Sequence, residues 1–299
     1  MKKITVLSIL SLFALLSCQE DINLDIKEGA KKIVVEGNIE NGKVAEVIVT
    51  RNSPLFSAID LSNIVVFNAN VYVSNGIITD TLEMDTLLTT SNPFVYVGKN
   101  ILGQAGQVYY LTVEVDGNTY TAQTTIPNPV ALDSVWWQPQ PPEDTLGFAW
   151  ANLTEPVGAG NAYKWLAKSP TRIVNNNGNF AILNRRYLAP FGSVFDDKFI
   201  DGKSFEFAYN RPFDATESAF DDPNDNSFDG YYTNKDTVYI KFCAIDYATA
   251  KFYSTYEQAL QSNGNPFASP VTIIGNMNGG ALGVWAGFGA TYDTIMPTP

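Results

Sequence analysis

The 299-residue chain holds 45% hydrophobic and 17% charged residues and carries a net charge of −12. Such an acidic balance argues against nucleic acid and against electrostatic adsorption on anionic lipid, while the apolar share can still bury a sizeable core. Histidine is absent, which excludes Ser-His-Asp and Cys-His nucleophile systems and histidine-ligated zinc for want of an imidazole. A glycosidase-type carboxylate pair needs no histidine and stays open, although no spacing among the 31 acids singles one out.

Lys2 and Lys3 precede an apolar run from Ile4 to Leu16, which fits the charged and apolar regions of a secretory signal and is too short to span a bilayer. Leu15-Leu16-Ser17-Cys18 resembles the bacterial lipobox, whose cysteine is acylated and becomes the mature N-terminus. Residues 1–17 are then a lipoprotein signal peptide and Cys18 the lipidation site. Acyl chains of the palmitate kind gain about 0.8 kcal/mol per buried CH₂, so several on one cysteine anchor a soluble domain. Loss of Lys2 and Lys3 leaves 17 basic against 31 acidic residues, a net charge of −14. Gln19, Glu20 and Asp21 resemble the acidic export signal of Bacteroidota surface lipoproteins; the plain alternative is a solvated tether over residues 18–30. With Cys18 lipidated, Cys243 has no partner in the chain and reads as a small buried apolar residue.

After the tether, two β-branched runs flank Asn41-Gly42, a hairpin signal because both residues tolerate positive φ. In "GQVYYLTVEVDGNTYTAQTTIP", Val108, Tyr110, Thr112 and Glu114 alternate with Tyr109, Leu111, Val113 and Val115, and Asp116-Gly117 closes a second hairpin. Short strands at this spacing predict an immunoglobulin-like β-sandwich over residues 31–127. Pro127 and Pro129 mark a boundary, since proline cannot continue a central strand. Residues 128–299 read as a second β-rich, sandwich-like domain, with strands at "SVWW", "TLGFAW", "AYKWLAKS", "SFEFAYN" and "DTVYIKFCAI". One helix is predicted near 246–262: Asp246 caps it, Tyr253, Tyr256 and Leu260 share a face, and Asn263-Gly264 ends it. The fold class is thus mainly all-β.

Several stretches together, "IVVEGNI", "GQVYYLTVEVDGNTYTAQTTIPNPV", "FDDKFIDGKSF", the helix region and "NPFASPVTIIGNMNGGALGVWAGFG", resemble the Bacteroidota lipoproteins classed as domain of unknown function 4249. The resemblance covers nearly the whole mature chain. It implies an exported outer-membrane lipoprotein, often encoded beside TonB-dependent receptors, with no established enzyme activity.

Four motifs carry chemistry, each with a plainer alternative. In "DNSFDGYYTNKD", Asp225, Ser227, Asp229, the Tyr231 carbonyl and Asp236 occupy positions 1, 3, 5, 7 and 12 of a Ca²⁺ loop, though position 12 is Asp rather than the bidentate Glu. Asx-rich turns of β proteins give the same composition. Trp136 and Trp137 in "WWQPQPP" offer flat faces for sugar rings, against the ordinary reading of one ring in the core and one over the junction. Glycine-rich "NGGALGVWAGFG" has no following helix to present to a phosphate and reads as a final strand. The sixfold triplet of Asp, Thr or Ser, then an apolar residue resembles the Bacteroidota O-glycosylation site, at Thr81, Thr86, Ser134, Thr145, Thr237 and Thr294. Turn-to-strand junctions produce the same triplet without sugar.

These features point to a non-catalytic lipoprotein on the outer membrane at the cell surface, held by lipid at Cys18. Its expected partner is an outer-membrane β-barrel such as a TonB-dependent receptor. The alternative is a glycan- or ligand-binding surface module.

Overall fold

The hairpin at Asn41-Gly42 forms as its sequence dictates, with Gly42 at φ 78° between β1 (Ile33–Glu40) and β2 (Glu46–Arg51). A short helix α1 (Leu61–Ile64) and the strands β3 (Asn70–Ser74), β4 (Thr79–Met84) and β5 (Tyr96–Val97) follow. Asp116 and Gly117, both at positive φ, then join β6 (Val108–Val115) to β7 (Asn118–Thr125). Tyr109, Leu111, Val113 and Val115 point inward on β6, the set picked out by the period of two. This computed structural model describes residues 31–53, 61–85, 94–174, 180–183, 186–213, 230–262, 267–269 and 271–296.

Beyond Pro127 come β8 (Ser134–Pro139), β9 (Leu146–Thr154), β10 (Ala162–Lys168), β11 (Thr171–Val174), β12 (Phe180–Leu183), β13 (Val194–Asp196) and β14 (Ser204–Tyr209). The chain closes with β15 (Tyr232–Thr233), β16 (Val238–Ile245), the helix α2 (Tyr247–Ser262) and β17 (Leu282–Ile295). All five strands predicted in this half are present; β11, β12, β13 and β15 were not foreseen. The glycine-rich tail is a strand, as its sequence suggested.

Eleven strands form one sheet in the order β13-β10-β16-β17-β1-β2-β5-β4-β3-β6-β7. The last strand of the chain lies inside it, parallel to β1 and antiparallel to β16. The β7 end of the sheet curls until β6 and β7 face β17, and Trp285 donates its indole N–H to the Tyr109 carbonyl across the enclosed core. Close approach requires glycine here: a methyl group added at Gly287 would collide with the Thr125 carbonyl, and one at Gly289 with that of Pro127.

At the other end, β10, β16 and β17 face a smaller sheet of β14-β9-β15, with β8 paired to β9. Ala149, Ala151 and Leu153 of β9 meet Trp165, Ile240 and Phe242 in this second core. A third apolar layer, with Cys243, Val284 and Phe288, lies under α2 on the back of the large sheet. The fold is therefore mainly β and sandwich-like, with one long packed helix. Val130 and Leu132 open the second core near the expected division. Residues 31–127 do not complete the first core alone, because Ala281 and Trp285 belong to it. The described residues form a single compact unit.

The helix begins where Asp246 caps it, its Oδ1 accepting from the Thr249 N–H at 2.7 Å. Its packed face differs from expectation. Tyr256 and Leu260 are exposed, whereas Thr249, Ala250 and Thr255 are buried and Phe252 and Tyr253 pack on the third layer. The rotation follows from the cap, since Asp246 Oδ2 also accepts from the Thr124 hydroxyl at 2.6 Å and fixes the first turn against β7.

Candidate functional site

A groove of about 560 Å³ lies between β13, β14 and the first turns of α2. Its floor is aromatic because β13 and β14 direct alternate residues toward the second core. Phe195, Phe205, Phe207 and Tyr209 contribute rings whose centroids lie 5.4 to 6.3 Å from neighbouring rings of Trp165 and Phe242 or from one another. The helix supplies the opposite wall with Tyr247, Ala250, Lys251 and Ser254, the i, i+3, i+4, i+7 set of one face.

Two rings stand at the mouth. Phe199 is 78% exposed and Tyr247 70% exposed, yet the backbone beneath each is fixed. Phe199 sits in the turn of "FDDKFIDGKSF", where Ile200 and Asp201 donate their N–H groups to the Asp197 carbonyl and the Lys203 ammonium donates to the Phe199 carbonyl. Tyr247 follows the Asp246 cap directly. The far wall is tied as well: Gly192 accepts a hydrogen bond from the Tyr209 hydroxyl and donates its N–H to Glu257 on α2. Burial pushes the Glu257 carboxyl and the Tyr209 phenol above their ordinary values.

The turn under Phe199 rests on three carboxylates, Glu155, Asp197 and Asp201, whose oxygens lie within 4.8 Å of one another. As a donor set they suit a hard cation. Each is already engaged. Glu155 accepts from the Asn161 side chain at 2.7 Å, the Tyr163 hydroxyl at 3.0 Å and the Gly202 N–H at 2.8 Å. Asp197 accepts from the Gly160 and Asn161 N–H groups, both at 2.7 Å, and Asp201 from that of Gly158 at 2.8 Å. The cluster works as a knot between residues 158–161 and 197–203.

A second polar network lies on the back of the large sheet. Lys241 reaches Glu40 at 2.5 Å, and Lys43 and the Tyr292 hydroxyl bond the same carboxylate. Burial alone would raise the Glu40 carboxyl, but the Lys241 charge and these bonds outweigh it and hold the group below its ordinary value. Lys164, buried under α2 with its ammonium 2.8 Å from the Tyr253 ring centre, is pushed down to about 7 by burial.

The tryptophans of "WWQPQPP" are not brought together. Neighbours on a strand face opposite ways: Trp137 packs on the second core and donates to the Tyr232 carbonyl, while Trp136 stacks on Trp150 at 6.1 Å on the other face. Of the calcium loop, Asp225, Ser227 and Asp229 lie outside the described residues. Asp236 accepts from the Thr233 N–H at 2.8 Å and closes that turn, and the Tyr231 ring stacks on Phe148. Thr81, Ser134, Thr145 and Thr294 are exposed and Thr237 is half-buried. Cys18 and Thr86 lie outside the described residues. Composition and strand alternation pointed to none of the groove. The one available signal was the run Phe195, Phe199, Phe205, Phe207, Tyr209, too many aromatics for one core face.

No curated protein matches the chain. Residues 19–292 match the family described as domain of unknown function (DUF4249). Because that match spans most of the chain, the protein belongs to the domain of unknown function 4249 family.

Proposed function

We infer that this chain is a non-catalytic, lipid-anchored outer-membrane protein that serves as an interaction subunit for a β-barrel partner, such as a TonB-dependent receptor. The lipobox-like "LLSC" and the acidic residues after Cys18 support the anchor and display at the cell surface. The observation that carries the interaction role is an exposed apolar tip at the far end of β1 from Lys32. The chain enters the fold at Lys32, whose N–H bonds the Asn52 side chain beside the start of β1. At the other end of this eight-residue strand, about 25 Å away, Gly103 pairs with Asn41. Leu102 is exposed there, next to the β3–β4 turn that carries Ile77 at 90% exposure and Ile78. The turn is fixed against residues 99–107, since Gln107 donates to the Asn75 carbonyl and Asp80 accepts from the Lys99, Asn100 and Ile101 N–H groups. A rigid turn bearing two exposed isoleucines suits contact with another protein.

The test is a tagged pull-down from mildly solubilised outer membrane. A barrel protein is expected in stoichiometric amount, lost from the Ile77→Asp/Ile78→Asp variant. Recovery of the chain alone from wild-type membranes would overturn the subunit role. Cys18→Ser is expected to move the protein out of the membrane fraction and abolish palmitate labelling.

A further inference from the structure

The geometry points to the groove between β13, β14 and α2 as a carbohydrate-binding site for a neutral oligosaccharide. Three features carry this assignment, and none involves the apolar tip. First, the groove is amphipathic in a particular sense: aromatic faces form its floor, while Lys251, Ser254 and Asp196 bring an ammonium, a hydroxyl and a carboxylate to its edge. A pyranose has the matching shape, with a C–H face that packs on aromatic rings and a hydroxyl edge that exchanges hydrogen bonds. The Ser254 hydroxyl donates to the Lys251 carbonyl and Asp196 accepts from the Lys198 N–H, so both keep spare acceptor capacity for a hydroxylated ligand.

Second, the mouth is preorganised. Phe199 and Tyr247 keep their rings in solvent, but the carboxylate knot of Glu155, Asp197 and Asp201 fixes the backbone turn under the one and the Asp246 cap the helix start under the other. With the backbone already fixed, stacking a ligand has only the two side-chain torsions of each ring left to order.

Third, the charge is balanced. Asp196 and Lys251 line the groove and the Lys198 ammonium lies 5.4 Å from the Phe199 ring centre, so the wall carries no excess negative charge in a chain of net charge −12. An acidic polysaccharide would be repelled by the surrounding protein, and a cation would find a lysine at the wall. At about 560 Å³ the groove lies within the range of small-molecule sites.

The experiment is calorimetric titration of the full mature chain in detergent with four probes: maltotetraose, cellotetraose, xylotetraose and mannotetraose. Saturable binding of at least one is expected. Phe199→Ala and Tyr247→Ala should each weaken it by about tenfold or more, as loss of a stacked ring does. Both side chains are exposed, so the variants should keep the wild-type melting temperature. Trp136→Ala, on the outer face of the small sheet, should bind as wild type. The assignment is overturned if none of the four sugars binds, if binding survives both groove variants, or if Trp136→Ala abolishes it.

Discussion

Lys241 on β16 reaches over β17 to meet Glu40 on β1 at 2.5 Å, passing the Phe288 ring at 4.9 Å. Both side chains are buried, so the pair links the first strand of the fold to the second half of the chain. Glu40→Gln strands the ammonium, and urea unfolding at neutral pH should show a loss of about 3–5 kcal/mol. Glu40→Gln with Lys241→Met should recover most of it. Because the Glu40 carboxyl lies below its ordinary value of 4.5, its contribution is complete above that pH and disappears as pH falls through the lower folded value. Wild type should therefore lose stability in acid faster than the double variant.

Lys164 runs the opposite way. Its folded value of about 7 lies below the ordinary 10.5, so between the two the unfolded chain binds the extra proton. The penalty is complete below about pH 7 and fades as pH rises toward 10.5. Lys164→Met should stabilise the protein at pH 6 by about 1–4 kcal/mol, with the gain shrinking by pH 10. A gain independent of pH would show that the lysine is not titrating where it is buried.

Gly289→Val places a branched side chain against the Pro127 carbonyl. A loss of about 1–3 kcal/mol in thermal or urea unfolding is expected. The same change at Gly42, where a Cβ would meet nothing, costs only the strain of its positive φ.

Cys243 is buried, and burial pushes its thiol up to about 12. In the Cys18→Ser chain it should resist iodoacetamide at pH 8 in the native state and react promptly in denaturant. Rapid native labelling would show that the layer under α2 opens readily.

Asp80 and Thr81 separate structure from modification. Asp80 is buried and accepts three backbone N–H groups, so Asp80→Ala should cost about 1–3 kcal/mol. Thr81 points to solvent, and Thr81→Val should stay within about 0.5 kcal/mol of wild type. A fall in intact mass beyond the substitution in that variant would mark a sugar there. A wild-type mass equal to the lipidated polypeptide alone would exclude any.

What the sequence makes legible is what short range decides. Asn41-Gly42 and Asp116-Gly117 turn where positive φ is needed, and Asp246 starts the helix. The face of that helix escapes periodicity, because a tertiary bond from Asp246 to Thr124 sets its rotation. The groove escapes too: Phe199 and Tyr247 are far apart in the chain, and the carboxylates that fix Phe199 look like any acidic turn until Glu155 arrives from just past the end of β9. The paired tryptophans divide between two faces for the converse reason, since adjacency along a strand separates side chains in space.

The interior position of β17 constrains how the polypeptide matures. Until Leu282–Ile295 has been synthesised, β1 and β16 each present a bare edge where this strand will sit, and Trp285 is missing from the first core. Nascent chain emerging N-terminus first thus has no finished half to fold early, and both edges invite mispairing while they wait. A stop codon a few residues before Leu282 would therefore yield not a shortened protein but an aggregation-prone one.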